Sequence, residues 1–364
     1  MDSGKWRHFD FWLLGAVALL TIFGITMIGS TIRGNIDLVG YDRRQLIFAV
    51  AGFVAMIAIA YVDYHLWSAI NRPLYFITAG FLAVLLTTTA IFGSARWFSL
   101  AIISIQPSEF AKIVVILILA EFFARNRERI GDLRVVFNSF LMMGGLVIWI
   151  ILQPNLSTSI VIIVIWFALL WVSGLRIKHL LLFAVSGAAA AVAAFPFLEQ
   201  YQQDRILNFI FEDPDARHGN TYNVIQALIS IGSGGWFGQG YGQGSQVQLR
   251  FLKVRWSDFI FSAMANEFGF VGVVIVILIL LFVIYRCLRA ARLARDTFGG
   301  LICYGVATLL AFQTVVNIGV NLKLLPATGL PLPFLSYGGS SLFSLLICIG
   351  LVQSVILRHK SLEF

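Results

Sequence analysis

Charge is scarce in this sequence. Asp, Glu, Lys and Arg make up 12% of the chain, about half the share of an ordinary soluble domain, and that shortage excludes a water-facing globule. Cysteine is scarcer still. The three present, Cys287, Cys303 and Cys348, fall within or at the ends of apolar runs and lack metal-ligand spacing, so they read as small buried hydrophobes rather than disulfides or zinc ligands. A basic face is also missing. The net charge is +8, yet the cations are dispersed between apolar runs, where membrane orientation and anionic headgroups account for them without nucleic acid. Nor is a cleavable leader legible. The first apolar run, residues 11–30, is full length without a small-residue cleavage site, and is expected to stay as a signal anchor.

What the sequence has in abundance is apolar length. Hydrophobic side chains make up 59% of it and the mean hydropathy is +0.88. Runs near the ~20 residues that cross a bilayer recur along the chain. The expected fold is an all-α polytopic membrane protein, one domain over residues 1–364, with ten transmembrane helices at about 11–30, 44–62, 73–92, 108–124, 134–152, 156–174, 178–197, 261–286, 299–320 and 336–357. Clusters such as Arg125 to Arg134, Arg176 with Lys178, and Arg286 to Arg295 all fall on one side of this arrangement. The short loops opposite hold only Arg33, Arg43, Arg44, Arg96 and Lys323. That bias predicts both termini in the cytoplasm and a large outer loop, about 198–260, between helices 7 and 8.

So long a connection is expected to be functional. Within it, Tyr222 to Ile231 has helical apolar spacing and reads as an interfacial helix, a natural floor for a site. The glycines from Gly232 to Gly244 either offer amides to an anion or merely bend the chain between interfacial helices. A basic run follows at Arg250, Lys253 and Arg255, then Trp256-Ser257-Asp258-Phe259. The fourth span opens Gln106-Pro107-Ser108-Glu109-Phe110-Ala111-Lys112. Glu109 and Lys112, at i and i+3, are each other's expected partner: a functional interior pair or a structural lock. Trp97 suits an interfacial anchor, and Ser157, after the Gln153-Pro154 turn, suits a helix cap. The last outer loop, residues 324–341, carries three prolines and several glycines. It cannot be continuous helix, and irregular backbone at membrane depth is tolerated only when buried or lining a watery cavity.

Four motifs in order, Gln106 to Lys112, the Gln153-Pro154 turn, the Gly-Gly loop leading to Asp258-Phe259-Ile260-Phe261, and the segment ending Ser336-Tyr337-Gly338-Gly339-Ser340-Ser341, give a chain that resembles the SEDS family of peptidoglycan glycosyltransferases. It looks more like the RodA branch, which serves cell elongation and shape, than the FtsW branch, which serves division. The resemblance covers nearly the whole chain. It implies a polymerase on the outer face of the cytoplasmic membrane that joins lipid II into β-1,4-linked glycan and releases undecaprenyl diphosphate. The family's essential aspartate falls on Asp258, its partly buried glutamate and lysine on Glu109 and Lys112, and its outer-loop arginine on Arg205. Three family carboxylates are replaced here, by Asn155, by Lys253-Val254 and by Asn266, which weakens any metal site built from those positions. No soluble crosslinking domain is legible, so the resemblance points to a separate class B penicillin-binding protein as partner.

Inversion at the anomeric carbon needs one displacement with a base on the acceptor hydroxyl, and Asp258 is the expected base. Diphosphate leaves as a stable anion, so cations replace the acid a hydrolase would need. Candidates are Lys112, Arg205, Arg96, Arg250 and Arg255, with Glu109 beside them; a divalent ion, Mg2+ or Mn2+, bridging the phosphates is a further candidate. Gln106, Ser108, Trp256, Glu267, Ser336, Tyr337, Gly338 and Ser340 are the expected cavity-lining residues. Rival readings stand beside this one: Asp258 as an N-cap of the eighth span, a lipid-precursor flippase or transporter, a non-catalytic scaffold for wall synthases, or a pore.

Overall fold

A computed structural model of the chain describes residues 8–35, 38–87, 97–100, 103–211 and 219–359. In order these form α1 (Phe11–Thr31), α2 (Tyr41–Tyr61), α3 (Tyr64–Leu85), β1 (Phe98–Leu100), β2 (Ile103–Ile105), α4 (Pro107–Arg125), α5 (Leu133–Leu152), α6 (Leu156–Val172) and α7 (Ile177–Ala194). The long connection after α7 holds α8 (Gln200–Ile210), α9 (Gly219–Ser233) and α10 (Ser245–Gln248), and α11 (Ile260–Leu293), α12 (Thr297–Asn321) and α13 (Gly339–Leu357) complete the chain. Eight of these helices are long and apolar enough to cross a membrane by themselves. Two more fall at predicted spans: α6, apolar but 17 residues long, and α4, which carries Glu109, Lys112, Glu121 and Arg125 within its length. The protein is therefore a multi-pass helical membrane protein. Its lipid-facing surface is what a soluble fold would hide, with Trp12, Ile22, Phe76 and Leu182 all exposed.

Helix α4 is the hub. Nearly every residue from Pro107 to Ala120 is buried, because α3, α6 and α12 pack around it. From Ile113 to Ala120 the helix is apolar on all sides, as suits such a position. Along the α2–α13 contact a Cβ on Gly350 would sit 2.8 Å from the Met56 carbonyl oxygen. Small residues let membrane helices approach this closely. Helix α7 stands at the other extreme, with no buried residue among those described.

Two helix bounds depart from the sequence reading. The third helix starts at Tyr64, not near residue 73, because Asp63 caps it by accepting from the His65 amide at 3.0 Å and the helix continues through Pro73. Neighbouring helices make such a proline tolerable in a membrane; residues 88–92 of that predicted span lie outside the described residues. The eighth apolar stretch is broken at Gly269, whose φ of 67° and ψ of −167° interrupt α11.

The glycine-rich loop explains that break. The Gln239 amide donates to the Asn266 carbonyl at 3.0 Å and the Gly240 amide to Glu267 at 2.9 Å, while the Phe270 amide donates to Gly235 at 2.8 Å. The loop thus pairs with backbone groups around the kink. Of the two expectations for these glycines, the bend is what the structure shows, and the loop stands away from the cavity described below. Its glycines are required by close approach, since a Cβ on Gly238, at φ +79°, would lie 2.1 Å from the Glu267 carbonyl oxygen. Gly238→Ala is expected to lower the thermal unfolding midpoint in detergent, the left-handed backbone alone costing about 1–2 kcal/mol. An unchanged midpoint would contradict this account of the loop.

Candidate active site

A cavity of about 580 Å³ opens where α2, α4, α6 and α13 begin and α12 ends. Its walls are the first turns of α2 and α4, the turn into α6, helix α8, the strap of residues 254–258 before α11, and the proline-rich segment between α12 and α13. Asp258 lies on the strap. Two asparagines one turn apart on α12 hold its backbone: the Asn317 side-chain amide donates to the Asp258 carbonyl at 3.1 Å and Asn321 does so at 3.0 Å. Asn317 also reaches the Leu330 carbonyl at 2.8 Å, which couples the strap to the proline-rich segment. The Tyr337 amide bonds to the Trp256 carbonyl at 2.9 Å and the Ser336 hydroxyl to that of Ser257 at 2.7 Å. Buried polar groups joined in this way make both walls rigid.

The Asp258 side chain does not cap α11. Phe259 occupies the cap position and the helix has no side-chain cap hydrogen bond. Instead the carboxylate accepts from the Ser257 hydroxyl at 2.9 Å. Burial pushes its pKa above the ordinary aspartate value, against the opposing pull of that hydrogen bond and of Arg205. Desolvation disfavours the charged form, which is the shift that suits a proton acceptor.

Arg205 reaches the cavity from α8, which is fixed by a capping box between Glu199 and Gln202 and by the Tyr201 hydroxyl donating to Pro154 at 2.6 Å. The guanidinium donates to the Thr328 carbonyl at 3.3 Å. The same carbonyl accepts from the Ser157 hydroxyl at 2.5 Å, so Ser157 ties two cavity walls together. The α6 cap is Asn155, which accepts from the Thr158 amide. Helix α8, rather than the predicted helix around Tyr222, supplies one cavity wall; α9 packs on α11 instead.

Several expected site residues stand elsewhere. Glu109 lines the cavity, but Lys112 is 1% exposed behind it and donates to its carboxylate at 2.7 Å. Its place in the middle of α4's packing keeps it from a phosphate. Arg250 bonds to the Gly34 carbonyl. Arg255 is buried, donating to Thr31 at 2.7 Å and Leu252 at 3.3 Å, and burial lowers its pKa. Arg255 ties the strap to the end of α1, Arg250 ties the segment before the strap to the turn after α1, and neither lines the cavity. Arg96 lies outside the described residues. Gln106, Trp256, Tyr337 and Gly338 line the cavity. Ser108, Ser336 and Ser340 lie behind its wall, Ser340 bridging the Gln106 amide and the Ser104 carbonyl at 3.1 Å each. Glu267 is farther off, beneath the glycine loop, accepting from Ser30 at 2.5 Å.

Arg44 and Tyr41 also line the cavity, and neither is among the expected site residues. Arg44 was counted only as a loop charge, although its i+3 spacing from Tyr41 on a helix was there to be read. Among the described residues no group of three or more His, Cys, Asp or Glu could hold a metal ion. The two carboxylates in the cavity are Asp258 and the Lys112-bound Glu109, so these side chains do not form a donor set for a resident cation.

The FtsW/RodA/SpoVE family model, described as cell cycle protein, matches residues 9–361. The chain is 33% identical over 363 residues to the probable peptidoglycan glycosyltransferase FtsW of Trichlorobacter lovleyi, covering 96% of this chain and 93% of the relative. It is 33% identical over 360 residues to stage V sporulation protein E of Bacillus subtilis, covering 94% of each. Among solved structures, a chain of a peptidoglycan synthase complex that coordinates polymerization and crosslinking superposes with a TM-score of 0.80 at 29% identity, over 96% of this chain and 97% of that one. The rod shape determining protein RodA of Thermus thermophilus does so with a TM-score of 0.72 at 28% identity, over 97% and 98%. Matches that run from the first helix through the strap to the last establish that this chain belongs to the FtsW/RodA/SpoVE family, the SEDS proteins.

Proposed function

We propose that the protein is a peptidoglycan glycosyltransferase that polymerises lipid II, with Asp258 as general base. The observation that carries this reading is the placement of Asp258 and Arg205 on the walls of one cavity, where Arg205 bonds the Thr328 carbonyl at 3.3 Å and a Cβ on the next residue, Gly329, would lie 3.7 Å from the Asp258 carboxylate. In the reaction the acceptor's C4 hydroxyl oxygen attacks the anomeric carbon of the lipid-linked donor from the face opposite its diphosphate. Its proton passes to the Asp258 carboxylate. The bond from the anomeric carbon to the diphosphate oxygen breaks, the electron pair leaving with the diphosphate, and Arg205 neutralises that charge. Inversion in one step follows.

Orientation supports an outer-face site. Helices α4, α11 and α13 begin at the cavity and end beside Arg125, Arg292 and Arg358, and arginine-rich ends face the cytoplasm. The cavity therefore opens on the outside of the cytoplasmic membrane. The solved relative from a synthase complex supports a separate crosslinking partner, a class B penicillin-binding protein, and RodA supports a role in elongation and shape.

The test is polymer formation from purified, labelled lipid II in detergent, with and without chelator. An enzyme makes lipid-linked glycan of increasing length under these conditions, whereas a flippase, having no membrane to cross, and a scaffold make none. Absence of polymer from folded protein, alone and with its transpeptidase partner, would refute the reading.

A further inference from the structure

Arg44 sits in the first turn of α2 and contributes to the cavity wall. Its guanidinium carbon is 5.9 Å from the centre of the Tyr41 ring, and that ring stacks on Tyr337 at 4.4 Å with planes 17° apart. The Tyr337 hydroxyl lies within reach of the Arg44 charge. The helix beneath is locked in place, since the next residue, Gln45, donates to the Ser336 carbonyl and accepts from the Gly338 amide, each at 3.2 Å. Among the described residues neither Arg44 nor Arg205 forms an ion pair. The cavity thus presents two arginines on separate walls, each set against an aromatic ring and neither in a close ion pair among the described residues.

The reaction proposed above brings two diphosphates into this space, not one. The leaving diphosphate lies just beyond the anomeric carbon from the attacking oxygen, hence next to the base. The acceptor's own diphosphate lies at the far end of its disaccharide from the C4 hydroxyl. Two such anions repel and cannot share one guanidinium. Arg205 bonds the Thr328 carbonyl at 3.3 Å, and the next residue, Gly329, lies against the base, a Cβ there falling 3.7 Å from the Asp258 carboxylate, so its anion is the near one. Arg44 sits instead on the Tyr41–Tyr337 pair, with Trp256, two residues before Asp258, edge-on to Tyr41 at 6.4 Å.

We propose that Arg44, seated on the Tyr41–Tyr337 stack, is a second anion subsite that binds the diphosphate of the acceptor lipid, while Arg205 serves the diphosphate that leaves. This assignment rests on the glycosyltransferase reading and divides its substrate between two subsites. Arginine suits the task because its planar fork binds phosphate oxygens in pairs and stacks on aromatic faces.

The test uses the purified full chain in detergent with two substrates that separate the roles. Lipid II lacking the C4 hydroxyl of its terminal sugar acts only as donor, and ordinary lipid II is varied as acceptor, with capped products identified by mass. Arg44→Gln is expected to raise the acceptor KM about ten- to a hundredfold, the loss of one charge-assisted hydrogen bond, with kcat and the donor KM close to wild type. Arg44→Lys should fall between. Arg205→Gln should show the converse, a fall in kcat. Repeating the series with an acceptor whose stem-peptide carboxylates are amidated distinguishes the anions: a penalty that persists supports the diphosphate, and one that vanishes assigns Arg44 to the peptide and overturns the proposal. A donor KM that rises as much as the acceptor KM, or an Arg44→Gln protein that behaves as wild type, also overturns it. A wild-type protein that makes no polymer would instead sink the underlying reading.

Discussion

Asp258→Asn is expected to reduce polymerisation of lipid II by about 10²- to 10⁴-fold, the range for removing a general base, while the protein unfolds at the wild-type temperature. The second half of that expectation follows from local structure. The carboxylate caps no helix, and the strap is held through the Asp258 backbone by Asn317 and Asn321, contacts an amide side chain leaves intact. A pH series adds a sharper readout. Burial raises the Asp258 pKa and only the ionised form accepts a proton. Activity therefore rises with pH through the raised pKa, and its acid limb lies above the ~3.9 of an unperturbed aspartate. Asn does not titrate, so the residual activity of the variant should lack this limb. Wild-type rates in Asp258→Asn, or a limb that survives the substitution, would remove Asp258 from the mechanism.

The second large effect concerns Lys112. It is 1% exposed and its ammonium donates to Glu109, whose carboxylate also accepts from the Ser344 hydroxyl at 3.3 Å. Lys112→Met leaves Glu109 as an uncompensated charge among packed helices, a change that costs about 3–5 kcal/mol. The expected outcome is a strongly lowered unfolding midpoint and poor recovery from membranes. Adding Glu109→Gln should restore most of the lost stability, because an apolar side chain beside a neutral amide removes the stranded charge. Measuring unfolding midpoints of both singles and the double variant closes the cycle. A Lys112→Met protein as stable as wild type would show that the pair does not hold α4 in place, and would reopen a direct role for the lysine in substrate binding.

Lys112 also shows why part of the site was hard to read in advance. An ionisable residue in an apolar span signals an interior position, but spacing alone cannot say whether that interior is cavity or packing. The packing of α3, α6 and α12 around α4 decides it. Arg255 is a similar case: it stands three residues from the proposed base in the chain, yet its guanidinium turns to the carbonyls of Thr31 and Leu252. The glycine loop looked suited to anions because glycine permits close approach; the partner it approaches is the broken backbone of α11.

Apolar length and the shortage of charge were enough, without coordinates, to make this a multi-pass helical membrane protein, and the order of its motifs was enough to suggest the family. These properties are local or one-dimensional: a run of side chains partitions into lipid by its own composition, and a motif is recognised by its own residues. Which cations share a cavity with Asp258 is a different kind of fact. It depends on how the ends of several helices meet, so Arg44 and Arg205, far apart in the chain, line one space, while Arg250 and Arg255, its near neighbours, turn away. Only packing in three dimensions sets those directions.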